Sequence, residues 1–236
     1  MHPTRIAELL EPFLVTPTAT NPCHSQPAKA GEEPACLSPA QLQSISTYID
    51  ILLRWNARIN LTAIRDPDQI VIRHFGESLF AARHLFPRSA NVGTAAPGRQ
   101  ISVADVGTGA GFPGLPIKLW APHISLTLIE SSQKKATFLR EVMRALILTD
   151  IYIQNSRAEA LPSPAFDLVT LRAVESFETI LPVAAAILAP GGRLALLIGK
   201  PQLEPARSAL PHLAWSNPEP IPISRNRILA VAQRRL

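Results

Sequence analysis

A chain of 236 residues that is 47% hydrophobic and 17% charged holds enough apolar material for one sizeable core with an accessory layer, which excludes a solvated, disordered polymer. Its formal net charge of +5 suits a polyanionic partner such as nucleic acid without naming one. Two cysteines, Cys23 and Cys36, are too few for a disulfide framework or a metal site, so they read as incidental thiols and no metal is expected.

The first residues carry Glu8 and Glu11 and no long apolar run, so neither a signal peptide nor a membrane span is expected, and the protein reads as cytoplasmic. Residues 1–37 read as an N-terminal extension, partly flexible: a short helix over Thr4 to Leu14, then a Pro- and Thr-rich stretch. Residues 38–100 read as a helical layer and linker. Ser38-Pro39-Ala40-Gln41 is a helix start with a capping box and proline at the first position. Leu42, Ile45, Ile49, Leu52 and Leu53 then recur at helical spacing. Asn60-Leu61-Thr62 follows. After Asp66-Pro67 the apolar residues Ile70, Val71, Phe75, Leu79 and Ala82 predict a second amphipathic helix ending near Phe86-Pro87. The turn-rich run "RSANVGTAAPGRQ" marks a boundary.

From Ile101 to the end, residues 101–236 alternate short β-rich runs with helical ones, which predicts a parallel sheet with crossover helices. The strands read as Ile101–Val106, Ile124–Glu130, Ile151–Gln154, Asp167–Leu171 and Arg193–Ile198, with helices near Pro113–Trp120, Gln133–Leu146 and Phe177–Leu188. Pro190-Gly191-Gly192, before the fifth strand, reads either as a feature frequent in methyltransferase sheets or as a helix stop and turn, and "EPIPI" and "RILAVAQ" read as two closing strands.

The first strand runs into "ADVGTGAGFPGLP", which fits two cofactor patterns. From Gly109 it matches the dinucleotide fingerprint G-x-G-x-x-G, and from Asp105 it matches D-x-G-x-G-x-G, a loop for S-adenosylmethionine. Gly107, Gly109 and Gly111 serve either, because glycines let backbone N–H groups approach a ligand. Asp105 discriminates: a desolvated carboxylate needs a cationic or hydrogen-bonding partner, and would repel a pyrophosphate. Pro113 and Pro116 also remove N–H donors from the following helix. Glu130, at the end of the second strand, suits ribose hydroxyls of either cofactor. These features select S-adenosylmethionine, and Asp105→Ala is expected to abolish donor binding while leaving the chain folded.

In an open parallel sheet the ligand crevice lies beyond the carboxyl ends of the strands, so "TLRAVES" after the fourth strand faces the acceptor. It contains neither an Asn/Asp-Pro-Pro-aromatic motif for exocyclic amines nor a cysteine nucleophile. An in-plane ring nitrogen such as guanine N7 needs no proton removal, so orientation can carry that chemistry, although other acceptors fit the same absence.

Asn60-Leu61-Thr62, Arg73-His74, "DVGTGAGFPG", "LIESSQKKATFLREV", "SRAEAL" and Arg172-Ala173, in this order, closely resemble the bacterial 16S ribosomal RNA guanine-N7 methyltransferases, the RsmG or glucose-inhibited division protein B family. The resemblance runs from about Pro39 to Val231. It implies an α/β, Rossmann-like S-adenosylmethionine-dependent methyltransferase fold, with a seven-stranded, mostly parallel sheet and an N-terminal helical layer. It implies methyl transfer to N7 of one guanine, with 16S ribosomal RNA or a small-subunit precursor as partner and a monomeric enzyme. Carried over by position, Asp105, Gly107, Gly109, Gly111, Phe112, Glu130, Ala158, Glu159 and Arg172 would bind the donor, while Arg172, Asn60, Arg73 and His74 would serve catalysis. Glu77 departs from the family's usual Asp, Lys200 follows Gly199 where a Lys-Gly pair is common, and the extension and the 87–100 insertion are longer than usual.

Bland readings stand beside these. Asp105 caps a turn, Phe112 is core, Glu159 is a solvated helix start, Arg172 pairs with Glu175 or Glu178, and Arg73 and His74 belong to a solvated basic face rather than a phosphate contact. Lys134, Lys135, Arg140 and Arg144 read as a solvated helix face. The rival functions are a small-molecule or other RNA methyltransferase, an NAD-dependent oxidoreductase, and a non-catalytic RNA-binding protein; titration with NAD and with S-adenosylmethionine separates the oxidoreductase from the rest.

Overall fold

Ser38 opens the first long helix through a reciprocal cap. Its Oγ accepts the Gln41 N–H at 3.2 Å, and Gln41 Oε1 accepts the Ser38 N–H at 2.8 Å, satisfying two donors that helix geometry leaves orphaned. In the computed structural model, which describes residues 1–15, 37–87, 99–160, 166–174 and 176–235, this helix is α2 (Pro39–Asn56), preceded by α1 (Pro3–Leu14). Cys23, Cys36, Glu175 and residues 88–98 lie outside the described residues.

α1 shares the core of the helical layer. Ile6, Leu10 and Phe13 are fully buried at helical spacing, each such side chain contributing about 1.5–3 kcal/mol relative to exposure. Ser46 on α2 donates to the Met1 carbonyl at 2.6 Å, and a Cβ on Gly76 would come within 2.5 Å of the Phe13 ring. The second amphipathic helix is continuous but not uniform: α3 (Pro67–Ile70), a π-helical stretch over Val71–Gly76, and α4 (Glu77–Leu85). Such stretches re-aim side chains and concentrate at functional sites; this one holds Arg73 and His74.

The remaining elements are β1 (Ser102–Val106), α5 (Gly114–Trp120), β2 (Ser125–Ile129), α6 (Gln133–Ala145), β3 (Ile151–Gln154), β4 (Phe166–Arg172), α7 (Phe177–Ala186), β5 (Leu188–Gly199), α8 (Leu203–Ala209), β6 (Ala214–Trp215), β7 (Glu219–Pro220) and β8 (Arg227–Gln233). The sheet order is β3-β2-β1-β4-β5-β8-β6, with β7 also on β8. β1 to β5 pair in parallel, and β8 is antiparallel to β5. The order reverses between β1 and β4, which opens the crevice at their carboxyl ends.

Two sequence expectations shift. The edge strand expected at "EPIPI" is only two residues long, because β6 and β7 are pieces of one edge along β8. Pro218 and Pro220 there lack the N–H that a continuous ladder requires. The count is therefore eight strands in seven positions. Pro190-Gly191-Gly192 is not a turn between helix and strand; it lies inside β5, where Gly191 takes φ +73° and the register with β4 shifts between Phe166 and Leu168.

Candidate functional site

The loop between β1 and α5 forms the floor of the crevice. Gly107, Gly109 and Gly111 take φ values of +65°, +57° and +87°, conformations that a side chain disfavours. Gly107 and Thr108 N–H donate to the Ile129 carbonyl at 3.0 and 3.2 Å. Gly109 N–H donates to Glu130 Oε2 at 3.0 Å, and Glu130 Oε1 accepts the Ser132 N–H at 2.8 Å. Asn155 Nδ2 donates to the Glu130 carbonyl at 2.7 Å. Glu130 is thus clamped against the loop at the end of β2. A Cβ on Gly111 would sit 2.6 Å from Leu115 Cδ1, whereas one on Gly109 would meet nothing nearer than 3.9 Å. One face of the loop is therefore locked by packing and the other is open to a ligand.

Asp105 lies beneath this loop. It is fully buried, and its carboxylate accepts Thr108 Oγ1 at 2.5 Å, Gly114 N–H at 2.9 Å and Thr170 Oγ1 at 2.9 Å. Burial pushes its pKa up to about 6, against the opposing pull of those three hydrogen bonds. The carboxylate joins the loop to β4, and the hydrogen-bonding partners that its burial demands come from within the chain. Asp105→Ala is accordingly expected to lower stability as well as donor affinity. Leaving buried donors unpaired costs about 1–3 kcal/mol each, measurable by urea denaturation beside calorimetric titration of the donor; an unchanged unfolding midpoint would refute the bracing role.

Phe112 is buried in an aromatic cluster. Its ring stacks between Tyr48, centroids 5.4 Å apart, and His74, at 4.8 Å, with Phe75 edge-on at 5.1 Å. The Tyr48 hydroxyl also donates to the Ala110 carbonyl. The helical layer thereby grips the loop from below through aromatic packing.

Glu77, 1% exposed, gathers three guanidinium groups. Arg73 Nε reaches Oε1 at 3.0 Å, while Arg227 Nη2 and Arg172 Nη2 approach Oε2 at 3.0 and 3.3 Å. Arg172 Nη2 also donates to the Arg73 carbonyl at 2.6 Å and meets His74 Nδ1 at 3.1 Å. Burial pulls His74 down to about 3, helped by the positive charges of Arg172, Arg73 and Arg227, so its ring is neutral. Because Nδ1 faces a donor, the proton sits on Nε2, which lies 2.8 Å from Thr62 Oγ1. Desolvation lowers Arg172 to about 10, leaving it charged at neutral pH. Its guanidinium carbon sits 5.9 Å from the Phe112 centroid.

The structure thus brings Arg73, His74 and Arg172 together with the loop. Asn60 is exposed, two residues before the Thr62 whose hydroxyl meets His74. The turn after α2 is organised by buried Asn56, whose Nδ2 donates to the Thr62 carbonyl and whose Oδ1 accepts Leu61 and Thr62 N–H at 2.9 and 3.0 Å. Arg172 pairs with Glu77 rather than with Glu178. Ala158 is buried and Glu159 exposed in the short turn Ala158–Ala160 beyond β3, and Lys200 is exposed after β5. Asn56, Tyr48 and Arg227 carry no motif signal; the only hint is a polar residue at the end of an apolar stripe or strand.

The model of the rRNA small subunit methyltransferase G family matches residues 41–217. The chain belongs to this family. A ribosomal RNA small subunit methyltransferase G of Xanthomonas euvesicatoria is 37% identical over 182 residues, 77% of this chain and 80% of the relative. That of Halorhodospira halophila is 39% identical over 164 residues, 70% and 72% of the two chains. Among solved structures, a ribosomal protein L11 methylase from Lactobacillus delbrueckii superposes with a TM-score of 0.55 at 18% identity, covering 70% of this chain and 80% of that one. Its fold is shared, and the small subunit methyltransferase G relatives carry the closer likeness in sequence.

Proposed function

We propose that this small subunit methyltransferase G transfers the methyl group of S-adenosylmethionine to N7 of one guanine in 16S ribosomal RNA, in the cytoplasm. The carrying observation is the buried Arg172, fixed at the carboxyl end of β4 beside the glycine loop by Glu77 and His74. His74 beside it offers no free ring nitrogen as a general base, since both are committed. An acceptor with a free in-plane lone pair needs none.

The residues fit the donor. The open face at Gly109 would accept a close backbone approach, Glu130 is held against the loop where ribose hydroxyls would bond, and Ala158 with Glu159, in the short turn beyond β3, would border the adenine as the family resemblance implies. Bound S-adenosylmethionine supplies a methyl carbon activated by a sulfonium leaving group. This chain orients the two reactants, and misplacement of a reacting group by an ångström costs about 10²-fold in rate.

The test is transfer of tritium from labelled S-adenosylmethionine to small-subunit ribosomal RNA, followed by borohydride and aniline cleavage to locate m7G. Label confined to another position, or absent, would overturn the assignment. In the same assay Arg172→Ala is expected to lower kcat/KM by about 10²-fold; full activity with undiminished donor affinity would remove Arg172 from the site.

A further inference from the structure

The end of the sheet where β4 and β5 finish and β8 begins holds more positive charge than Glu77 balances. Arg73, Arg172 and Arg227 share that one carboxylate. Arg225, on the turn before β8, adds a fourth guanidinium, exposed and without a hydrogen bond or ion pair among the described residues. Four arginines against Glu77 and the Asp105 carboxylate that faces Arg172 leave an excess of two positive charges, with His74 neutral beside them.

A cavity of about 130 Å³ lies between this turn and the helical layer, lined by Phe13, Ile72, Arg73 and Glu77 on one side and by Ser224 and Arg225 on the other. The turn is built rather than loose. Ile221 N–H donates to the Arg227 carbonyl at 3.1 Å, Ser224 N–H to the Ile221 carbonyl at 3.3 Å, and Lys200 N–H to the Asn226 carbonyl at 2.7 Å. Arg227 N–H donates to Ser224 Oγ at 3.1 Å. Arg73 commits only Nε to Glu77, which leaves its Nη donors uncommitted among the described residues. Buried Nε groups of Arg172 and Arg227 also lack partners. Ile223, at the tip of the turn, is 64% exposed and takes φ +61°, rare for a β-branched residue.

We propose that this cavity is a phosphate subsite for the RNA strand carrying the acceptor base, with Arg225 and the Nη groups of Arg73 holding one backbone phosphodiester and Ile223 packing against an adjacent unstacked base. The proposal rests on the methyltransferase reading above and extends it to a turn that no motif covers. A guanidinium fork matches a phosphodiester bidentately, and single-stranded RNA beside a splayed base is the usual form in which RNA is recognised in sequence-specific fashion. Charge selects a polyanion, and the apolar tip selects one with bases attached.

The experiment measures binding of a small-subunit ribosomal RNA transcript at several salt concentrations, together with methylation kinetics, for wild type, Arg225→Ala and Arg225→Lys. Losing one phosphate contact lowers the slope of log K against log salt by about 0.7 to 1. Arg225→Ala should show that drop and a raised KM for RNA, with kcat and S-adenosylmethionine affinity unchanged, while Arg225→Lys restores most of the slope. An unchanged slope and KM in Arg225→Ala, with the wild type methylating normally, overturns the subsite and leaves the functional reading intact. Competition by millimolar inorganic phosphate equal to that of the RNA also overturns it, since the occupant would then be free phosphate. If the wild type transfers no label to RNA the functional reading fails instead, and the salt slope of RNA binding still decides the subsite.

Discussion

Glu77→Gln is expected to destabilise the chain by about 3–5 kcal/mol, the usual cost of removing one partner from a buried ion pair. The cost arises from Arg172 and Arg227, whose side chains are 8% and 20% exposed; neither can recover full hydration when the carboxylate is lost. Arg73 is about half exposed and its share is screened by water. Glu77→Asp retains the charge on a shorter arm and should cost markedly less. Urea denaturation of the three chains checks this: the midpoint should fall most for Gln, with an unchanged slope. A loss under about 1 kcal/mol in Glu77→Gln would mean that the arginines find other partners, and that the hub does not hold Arg172 in place.

His74 should make the fold acid-sensitive. Its ordinary pKa of 6.5 falls to about 3 in the folded chain, through burial and the neighbouring arginines. A depressed folded pKa means that the unfolded chain binds the proton more readily. The stabilisation is therefore fully present above pH 6.5 and is lost as pH falls from there toward 3. The full span is worth on the order of 5 kcal/mol, and roughly 2 kcal/mol is lost by pH 5. Asp105 works with the opposite sign: raised to about 6, it adds stability as pH falls through 6 toward its unfolded value. Comparing wild type with His74→Gln at pH 7 and pH 5 isolates the histidine, because Asp105 and the other histidines are common to both chains. Wild type should lose the additional 2 kcal/mol or so on acidification; parallel losses in the two chains would show that His74 is not held neutral by its surroundings.

These two residues mark the limit of what local sequence conveys. The cofactor loop, the parallel order of strands and the capped helices are legible because each depends on neighbours in sequence. Periodicity, glycines at positive φ and a Ser-x-x-Gln cap are local facts, and the family motifs run in the expected order. The role of Asp105 was half legible: its need for a partner follows from burial at the end of an apolar strand, but that Thr108, Gly114 and Thr170 would fill it does not. The place of Phe112 in the glycine loop is legible, but that Tyr48 and His74 flank its ring is not.

From the sequence alone came the fold class, the glycine loop after the first strand, and the family to which the chain belongs, since each is written in contiguous residues with their own conformational or chemical requirements. Tertiary structure alone decided that α1 packs into the helical layer, that Glu77 joins its helical neighbour Arg73 to Arg172 and Arg227 from two distant strands, and that Arg225 overlooks a cavity beside them. The reason is physical: burial and charge pairing depend on which residues meet in space, and segments up to 150 residues apart, Glu77 and Arg227 among them, meet only once the sheet has closed against the helices.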